Sequence, residues 1–102
     1  EEHPQTDSVV FSEDPMAAIC IRTLHDRGID VPRQVGVVGI NNSFVAEICN
    51  PSLTSLDNML LDLSVTAARN LIDVLQGRHV VKKMMVYSRL IERESTQKQQ
   101  MV

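Results

Sequence analysis

The chain has 102 residues, of which 43% are hydrophobic, and its ten basic and thirteen acidic residues give a net charge of -3. This composition predicts one domain with a modest core. It contains no basic stripe of the kind that neutralises a phosphate backbone, which argues against nucleic-acid binding by this piece. Cys20 and Cys49 lack metal-ligand spacing and predict reduced thiols in a cytoplasmic protein. No apolar run reaches the roughly 20 residues of a membrane span, so we expect no membrane contact.

The first half of the chain predicts a strand, a helix and a second strand. Residues 1–7 form a polar lead-in, and a short strand is expected at residues 8–12. Asp14 and Pro15 predict the start of a helix, because the carboxylate can cap the free N–H groups and proline suits the first helical position. Gly28 predicts its end as a C-terminal cap. With the central strand at Val35–Ile40, this order indicates a βαβ unit.

Three polar residues, Asn41, Asn42 and Ser43, follow the central strand. Ligands of open α/β sheets bind at the carboxyl ends of the strands. Amide and hydroxyl groups at this end therefore favour recognition of a small molecule over covalent chemistry. A short apolar helix is expected at Phe44–Ile48, with Ser43 as its cap, and another strand at Leu53–Leu56.

The last third of the chain predicts a longer helix and a final strand. The helix ends at Gln76-Gly77, and apolar, β-prone residues from Met84 to Ile91 predict the strand. Residues 96–102 are a polar tail. One face of the helix is apolar and consists of Leu60, Leu63, Ala67, Leu71 and Leu75.

Five motifs occur in order between Ser8 and Ser95: Ser12-Glu13-Asp14-Pro15-Met16-Ala17, Leu24 to Gly28 with Val31-Pro32, Val37-Val38-Gly39-Ile40-Asn41-Asn42, Asn50 to Leu56, and Leu90-Ile91-Glu92-Arg93-Glu94-Ser95. Together they resemble the C-terminal part of the effector-binding core of LacI/GalR-family transcriptional repressors. The Asn-Asn-Ser and Leu-Thr-Ser-Leu-Asp segments most resemble the maltose-operon repressor branch of that family.

The resemblance implies an α/β fold, as a fragment of a periplasmic-binding-protein-like (type I) fold with a mostly parallel sheet flanked by helices. In that fold two subdomains surround a ligand cleft and are joined by three crossovers. Residues 8–56 would belong to the C-terminal subdomain, residues 57–87 to the N-terminal subdomain, and residues 88–95 would return to the C-terminal one. Family members also carry a helix-turn-helix that binds operator DNA. This chain contains no such motif, so we expect a fragment of a longer repressor.

The resemblance also implies ligand contacts. At Asn41 the family usually has a carboxylate, and at Glu13 many relatives have an asparagine, so acid and amide look exchanged between the two positions. Three alternatives stay open: Asn41 as a turn residue, Glu13 as an acid favoured by the helix dipole, and Asp57 as a cap of the long helix. Leu60 would provide apolar contact. The expected ligand contacts are Glu13, Asn41, Asn42, Ser55, Asp57 and Leu60.

A homodimer is the second implication of the resemblance. In the family, the outer face of the first helix and the short segment after the central strand form a two-fold interface. The alternative for each of these residues is ordinary core packing. The corresponding residues here are Ala17, Ala18, Ile19, Cys20, Phe44, Val45 and Ile48.

An enzyme is the first rival function. The spacing of Gly36 and Gly39 is not a phosphate-binding fingerprint, and no nucleophile elbow, paired carboxylates or metal-ligand set are present, so we expect no catalysis and no cofactor. A sugar-binding protein of a transport system is the closer rival because it would share the fold. A bare dimerisation module is the third. The resemblance favours a sugar-responsive repressor with a maltose-like effector.

Overall fold

The computed structural model describes residues 2–98; Glu1 of the lead-in and residues 99–102 of the predicted tail lie outside the described residues. In chain order the elements are β1 (Ser8–Val10), α1 (Asp14–Asp26), β2 (Gly36–Ile40), α2 (Phe44–Ile48), β3 (Thr54–Asp57), α3 (Leu60–Leu75), β4 (Arg89–Ile91) and a short 3₁₀ helix (Glu94–Thr96).

The strands form one sheet in the order β1-β2-β3-β4. The first three are parallel, with Val9 beside Val37 and Val38 beside Thr54, and β4 runs antiparallel to β3. The predicted α/β architecture with a mostly parallel sheet is therefore confirmed.

Helix α1 packs one face on this sheet. Pro15 lies in its first turn, and Ala17 and Ile21 are buried at helical spacing. The helix ends in a Schellman motif, in which Gly28 has a φ of +75° and the Ile29 N–H donates to the Leu24 carbonyl at 2.9 Å. The predicted cap is confirmed. The core consists of Ala17, Ile21, Val31, Val37, Ala46 and Leu53.

Helix α3 projects from the rest of the chain and buries none of its residues. Leu71 is 60% exposed and Leu75 is 76% exposed, although both lie on the predicted apolar face. The Cα radius of gyration is 18.2 Å, against about 13 Å for a compact domain of 100 residues. The helix thus forms where predicted, but most of its apolar face is exposed within residues 2–98.

The final strand is shorter than predicted. Only Arg89–Ile91 pairs, against Ser55–Asp57 of β3, and residues 84–88 have no strand partner within residues 2–98. A strand forms only where a neighbour satisfies its backbone groups, so the β-prone side chains alone were insufficient. The tail prediction also began too early, because the Thr96 hydroxyl lies 2.6 Å from the Thr54 hydroxyl.

None of the helices in residues 2–98 combines the length and the apolar character needed to cross a membrane.

Candidate functional site

The turn after β2 consists of two consecutive asparagines in the left-handed region of backbone space. Asn41 has a φ of 93° and Asn42 a φ of 48°, a conformation that asparagine tolerates better than most residues. The Asn41 N–H donates to the Leu56 carbonyl at 2.7 Å and so joins the turn to β3. This turn, residues 41 and 42, is called the asparagine turn below. The turn interpretation of Asn41 thus describes its backbone and leaves its side chain to be assigned.

The side chain of Asn41 is half-buried at the carboxyl edge of the sheet. Its Oδ1 accepts a hydrogen bond from Asn58 Nδ2 at 3.1 Å, and Asn58 Oδ1 accepts one from Ser88 Oγ at 2.7 Å. Within residues 2–98, Asn41 Nδ2 makes no hydrogen bond, so it can donate to a ligand. Asn58 and Ser88 were missed in the sequence analysis; their place on either side of the predicted crossovers could have indicated them.

Asn42, in contrast, is held on three sides. Its N–H donates to Ser55 Oγ at 2.8 Å, and its Nδ2 donates to Asp57 Oδ2 at 3.2 Å. Its Oδ1 accepts a hydrogen bond from Arg93 NH2 at 2.7 Å. The amide oxygen thus faces the Arg93 guanidinium and the amide nitrogen faces the Asp57 carboxylate. These two partners determine the orientation of the amide group. Arg93 was not among the predicted site residues, although it lies in a motif that carried the resemblance.

Asp14 is fully buried beneath the asparagine turn. Its Oδ2 accepts hydrogen bonds from the Ser43 N–H at 2.6 Å and the Ser43 hydroxyl at 3.0 Å, and its Oδ1 accepts one from the Ser55 hydroxyl at 2.6 Å. The predicted capping role of Asp14 is therefore wrong. Glu13 takes the N-cap position of α1 without a side-chain cap bond, and the Asp14 carboxylate accepts hydrogen bonds from Ser43, the N-cap residue of α2, instead.

Ser43 also departs from its prediction. It occupies the N-cap position of α2, but its hydroxyl makes no cap hydrogen bond and donates to Asp14. A buried carboxylate is the stronger acceptor for this hydroxyl, since hydrogen bonds to charged groups exceed those to neutral ones.

The other predicted ligand residues divide into two groups. Glu13 is exposed and follows β1, the parallel neighbour of β2, so it lies at the same carboxyl edge as the asparagine turn. Leu60, the first residue of α3, is 47% exposed. Ser55 is fully buried, and its hydroxyl already donates to one group and accepts from another. Ser55 therefore lies beneath the turn rather than at its surface.

Asp57 uses both carboxylate oxygens within the chain. Oδ2 accepts from Asn42, and Oδ1 accepts from the Met59 N–H at 2.7 Å. Met59 takes the N-cap position of α3 with a φ of 55°, and the helix has no side-chain cap. Asp57 thus stabilises the turn before α3 and is not the helix cap that the sequence left open.

The site presents amide donors and acceptors, one exposed carboxylate and one aliphatic side chain, which suit a ligand with many hydroxyl groups. Residues 2–98 contain no cluster of three or more groups that could hold a metal ion.

The predicted dimer residues occupy a separate surface. Phe44 is 71% exposed, Ile48 61% and Ile19 59%, whereas Ala18, Cys20 and Val45 are half-buried. Ala17 is fully buried against the sheet, so its side chain cannot reach a second copy, and we correct the predicted set by removing it.

A cavity of about 480 Å³ lies between α1 and the segment that follows α2. Burial raises the pKa of the Cys49 thiol in its lining and also that of Cys20, which disfavours the thiolate form of both. The cavity is lined by Ala18, Ile21, Arg22, His25, Ile29, Asp30, Val31, Cys49, Asn50 and Pro51.

Comparison with known proteins identifies the fold. A family model described as a periplasmic binding protein-like domain matches residues 1–96. The chain superimposes on the CelR–cellobiose complex with a TM-score of 0.82 and 33% identity, covering 91% of this chain and 29% of that one. It superimposes on a LacI-family regulator from Arthrobacter sp. FB24 in complex with lactose with a TM-score of 0.84 and 29% identity, covering 94% and 37%.

Sequence comparison agrees. The chain is 37% identical over 90 residues to an HTH-type transcriptional regulator of Lachnoclostridium phytofermentans, covering 88% of this chain and 27% of the relative. It is 33% identical over 87 residues to the regulator GanR of Bacillus subtilis, covering 84% and 26%. The chain thus spans about a quarter of the length of these relatives.

The fold, together with the asparagine turn at the carboxyl edge of the sheet, defines a periplasmic binding protein-like ligand-binding domain. These relatives are transcriptional regulators and not enzymes, as the lack of catalytic motifs predicted. The chain belongs to the LacI/GalR family of transcriptional regulators.

Proposed function

We propose that this chain is part of the effector-binding and dimerisation core of a cytoplasmic, sugar-responsive repressor whose effector is a disaccharide of the maltose type. One observation carries the proposal: the Nδ2 donor of Asn41, which makes no hydrogen bond within residues 2–98, lies at the carboxyl edge of a parallel sheet. Two structural relatives support a disaccharide, since one was solved with cellobiose and the other with lactose.

The site residues have distinct roles in this proposal. Asn41 Nδ2 donates to a sugar hydroxyl, and the exposed Glu13 carboxylate accepts hydrogen bonds from hydroxyls of the same sugar. Leu60 covers an apolar face of the sugar ring from the first turn of α3. Asn42 and Asp57 use their side chains to hold one another and contribute to the edge without being its principal donors.

The division of the chain follows the predicted subdomains. Residues 8–56 and 88–95 form one side of the cleft, and residues 57–87 belong to the other. Ligand binding favours one arrangement of the two sides of the cleft. This arrangement in turn changes the affinity for operator DNA of a domain outside this chain. The bond between Asn58 and Ser88 lies where the chain passes between the two sides.

Homodimerisation uses α2 and the outer face of α1. Phe44 and Ile48 are exposed side chains on one short helix, and the cavity beside Ala18 and Cys49 lies on the adjoining surface. A two-fold axis pairs a surface patch with the same patch on the second copy. The projecting side chains of one copy can therefore fill the cavity of the other. The interface consists of Ala18, Ile19, Cys20, Phe44, Val45 and Ile48.

Calorimetric titration of the full-length protein that contains this chain tests the proposal. We expect saturable binding of maltose, cellobiose or lactose, with release from or recruitment to operator DNA in a parallel fluorescence-anisotropy assay. Sugar binding without any affinity for DNA would favour the alternative, a sugar-binding protein of a transport system. Absence of binding to all three disaccharides would overturn the effector assignment.

A further inference from the structure

We infer that Ser55, together with the buried Asp14, is a positioning residue for the asparagine turn and does not contact the ligand. This inference rests on the proposed function only in that the turn presents Asn41 to a sugar. It departs from the family-based expectation for Ser55, which placed its hydroxyl in the ligand cleft.

The hydrogen-bond geometry gives the Ser55 hydroxyl a defined direction. A hydroxyl has one proton, and Ser55 donates it to Asp14 Oδ1 at 2.6 Å. Its lone pair is then directed to the Asn42 N–H, which it accepts at 2.8 Å. The Asp14 oxygen thereby determines which way the hydroxyl points, and the hydroxyl holds the backbone N–H of Asn42.

The same carboxylate holds the other end of the turn. Asp14 Oδ2 accepts the Ser43 N–H and the Ser43 hydroxyl, so the residue after the turn is anchored to the carboxylate that orients Ser55. A left-handed conformation at two successive non-glycine residues costs free energy, and it persists only where the surroundings hold it. Asp14 is fully buried and supplies that hold from below.

Arg93 holds the turn from the opposite side. Its NH2 donates to Asn42 Oδ1 at 2.7 Å, and its NH1 donates to the Leu53 carbonyl at 2.9 Å. The side chain of Asn42 is thus fixed by Arg93 and its backbone by Ser55. Because the Asn42 side chain is immobilised in this way, the Asn41 side chain is the one that contacts the sugar.

The chain supplies a matched control for Ser55. Ser95 is also fully buried, and its hydroxyl also donates once and accepts once, to the Val37 carbonyl and from the Thr54 N–H. Ser95 contacts the sheet at Val37, away from the turn. Ser55→Ala and Ser95→Ala therefore each remove a buried hydroxyl that donates once and accepts once, and only the first of them adjoins Asn42.

The test uses the full-length protein with two measurements: maltose, cellobiose and lactose titrations, and hydrogen–deuterium exchange of the segment that spans residues 40–47. We expect Ser55→Ala to weaken sugar binding about tenfold or more relative to Ser95→Ala and to speed exchange in that segment. Ser95→Ala should leave both near the wild-type values. Where Ser55→Ala does not fold, Arg93→Met loosens the same turn from its other side and should give the same two changes.

Equal losses of affinity in the two serine variants, or unchanged exchange at residues 40–47 in Ser55→Ala, would overturn the inference. Failure of the wild-type protein to bind any of the three sugars would count against the proposed function alone, because the exchange measurement still decides whether Ser55 holds the turn.

Discussion

The Asp14 carboxylate occupies the space that a side chain at Gly39 would need. A Cβ at residue 39 would overlap Asp14 Oδ1 and would lie 2.9 Å from Leu53 Cδ2. Gly39 has an ordinary strand conformation, so the glycine is required by this close approach and not by its backbone angles. The first turn of α1, the central strand and the asparagine turn are thereby packed as one unit.

The first prediction concerns this approach. We expect Gly39→Ala to lower the free energy of unfolding by about 1–3 kcal/mol, because the added methyl group overpacks a buried site. Gly36→Ala in the same strand is the control, since its Cβ would lie 3.6 Å from the nearest atom, the Ser95 carbonyl oxygen. Its stability should change by less than about 1 kcal/mol. Urea denaturation of the full-length protein measures both, and equal losses would contradict the packing argument.

The second prediction separates the two interpretations of Asn41. Glycine accepts a φ of 93° without strain, so Asn41→Gly keeps the turn and removes only the amide. We expect sugar affinity to fall about 3- to 10-fold, which corresponds to the loss of one hydrogen bond. Thermal unfolding of the free protein should change little. Calorimetry that shows wild-type affinity for Asn41→Gly would leave Asn41 with a turn role alone.

The third prediction concerns the dimer surface. We expect Phe44→Glu to raise the dimer dissociation constant at least about 30-fold. The Phe44 side chain is exposed in the single chain and becomes buried against the second copy in the proposed dimer, so the variant places a charge in the interface. Val10→Glu is the control: it places the same charge on a side chain that is 67% exposed and lies on β1, outside the proposed interface. Sedimentation equilibrium measures both variants. An unchanged dissociation constant for Phe44→Glu would remove α2 from the interface.

The fourth prediction applies to this 102-residue chain on its own. Because α3 buries none of its residues, we expect self-association or strand exchange to cover its apolar face. Replacing Leu63 and Leu71 by lysine should shift the chain toward monomer. Sedimentation velocity over a range of concentrations checks this expectation, and a compact monomer at every concentration would contradict it.

The fifth prediction is a pH dependence at the end of the sheet. The Ser52 N–H and the Ser52 hydroxyl both donate to Glu94 Oε1, at 3.1 Å and 3.0 Å, and hold the pKa of this carboxyl below its ordinary value of 4.5. A lowered pKa stabilises the fold above the unfolded value, and this stability is lost as the pH falls through the folded one. Glu94→Gln should therefore reduce the difference in unfolding free energy between neutral and acid pH. The effect is small because the group is exposed.

Local signals in the sequence predicted most of the elements. Gly28 ended α1 because only a residue tolerant of positive φ fits there. Periodicity located α3, although its packing could not be predicted, because residues 2–98 leave most of its apolar face exposed. The strand expected from Met84 onward failed because pairing depends on a neighbour and not on propensity alone.

The asparagine turn of the site could be predicted from the sequence, whereas the buried residues beneath it could not. Asn41 and Asn42 follow a glycine-valine strand, so their position at the carboxyl edge could be inferred from their order along the chain. The role of Asp14 could not, because its partners Ser43 and Ser55 are distant in sequence and meet it only in the folded sheet. A local capping rule was applied where a long-range contact decides the role.

The Ser88 hydroxyl donates to Asn58 Oδ1 directly beyond the last pair of the β3–β4 ladder, in which Asp57 faces Arg89. The chain therefore leaves the sheet for α3 and returns to it at neighbouring positions of β3 and β4. A tight turn joining Asn58 directly to Ser88 would convert β3 and β4 into a hairpin. Such a shortened protein would lack residues 59–87 and would still present Asn41 and Asn42, so it would be a minimal scaffold for grafting.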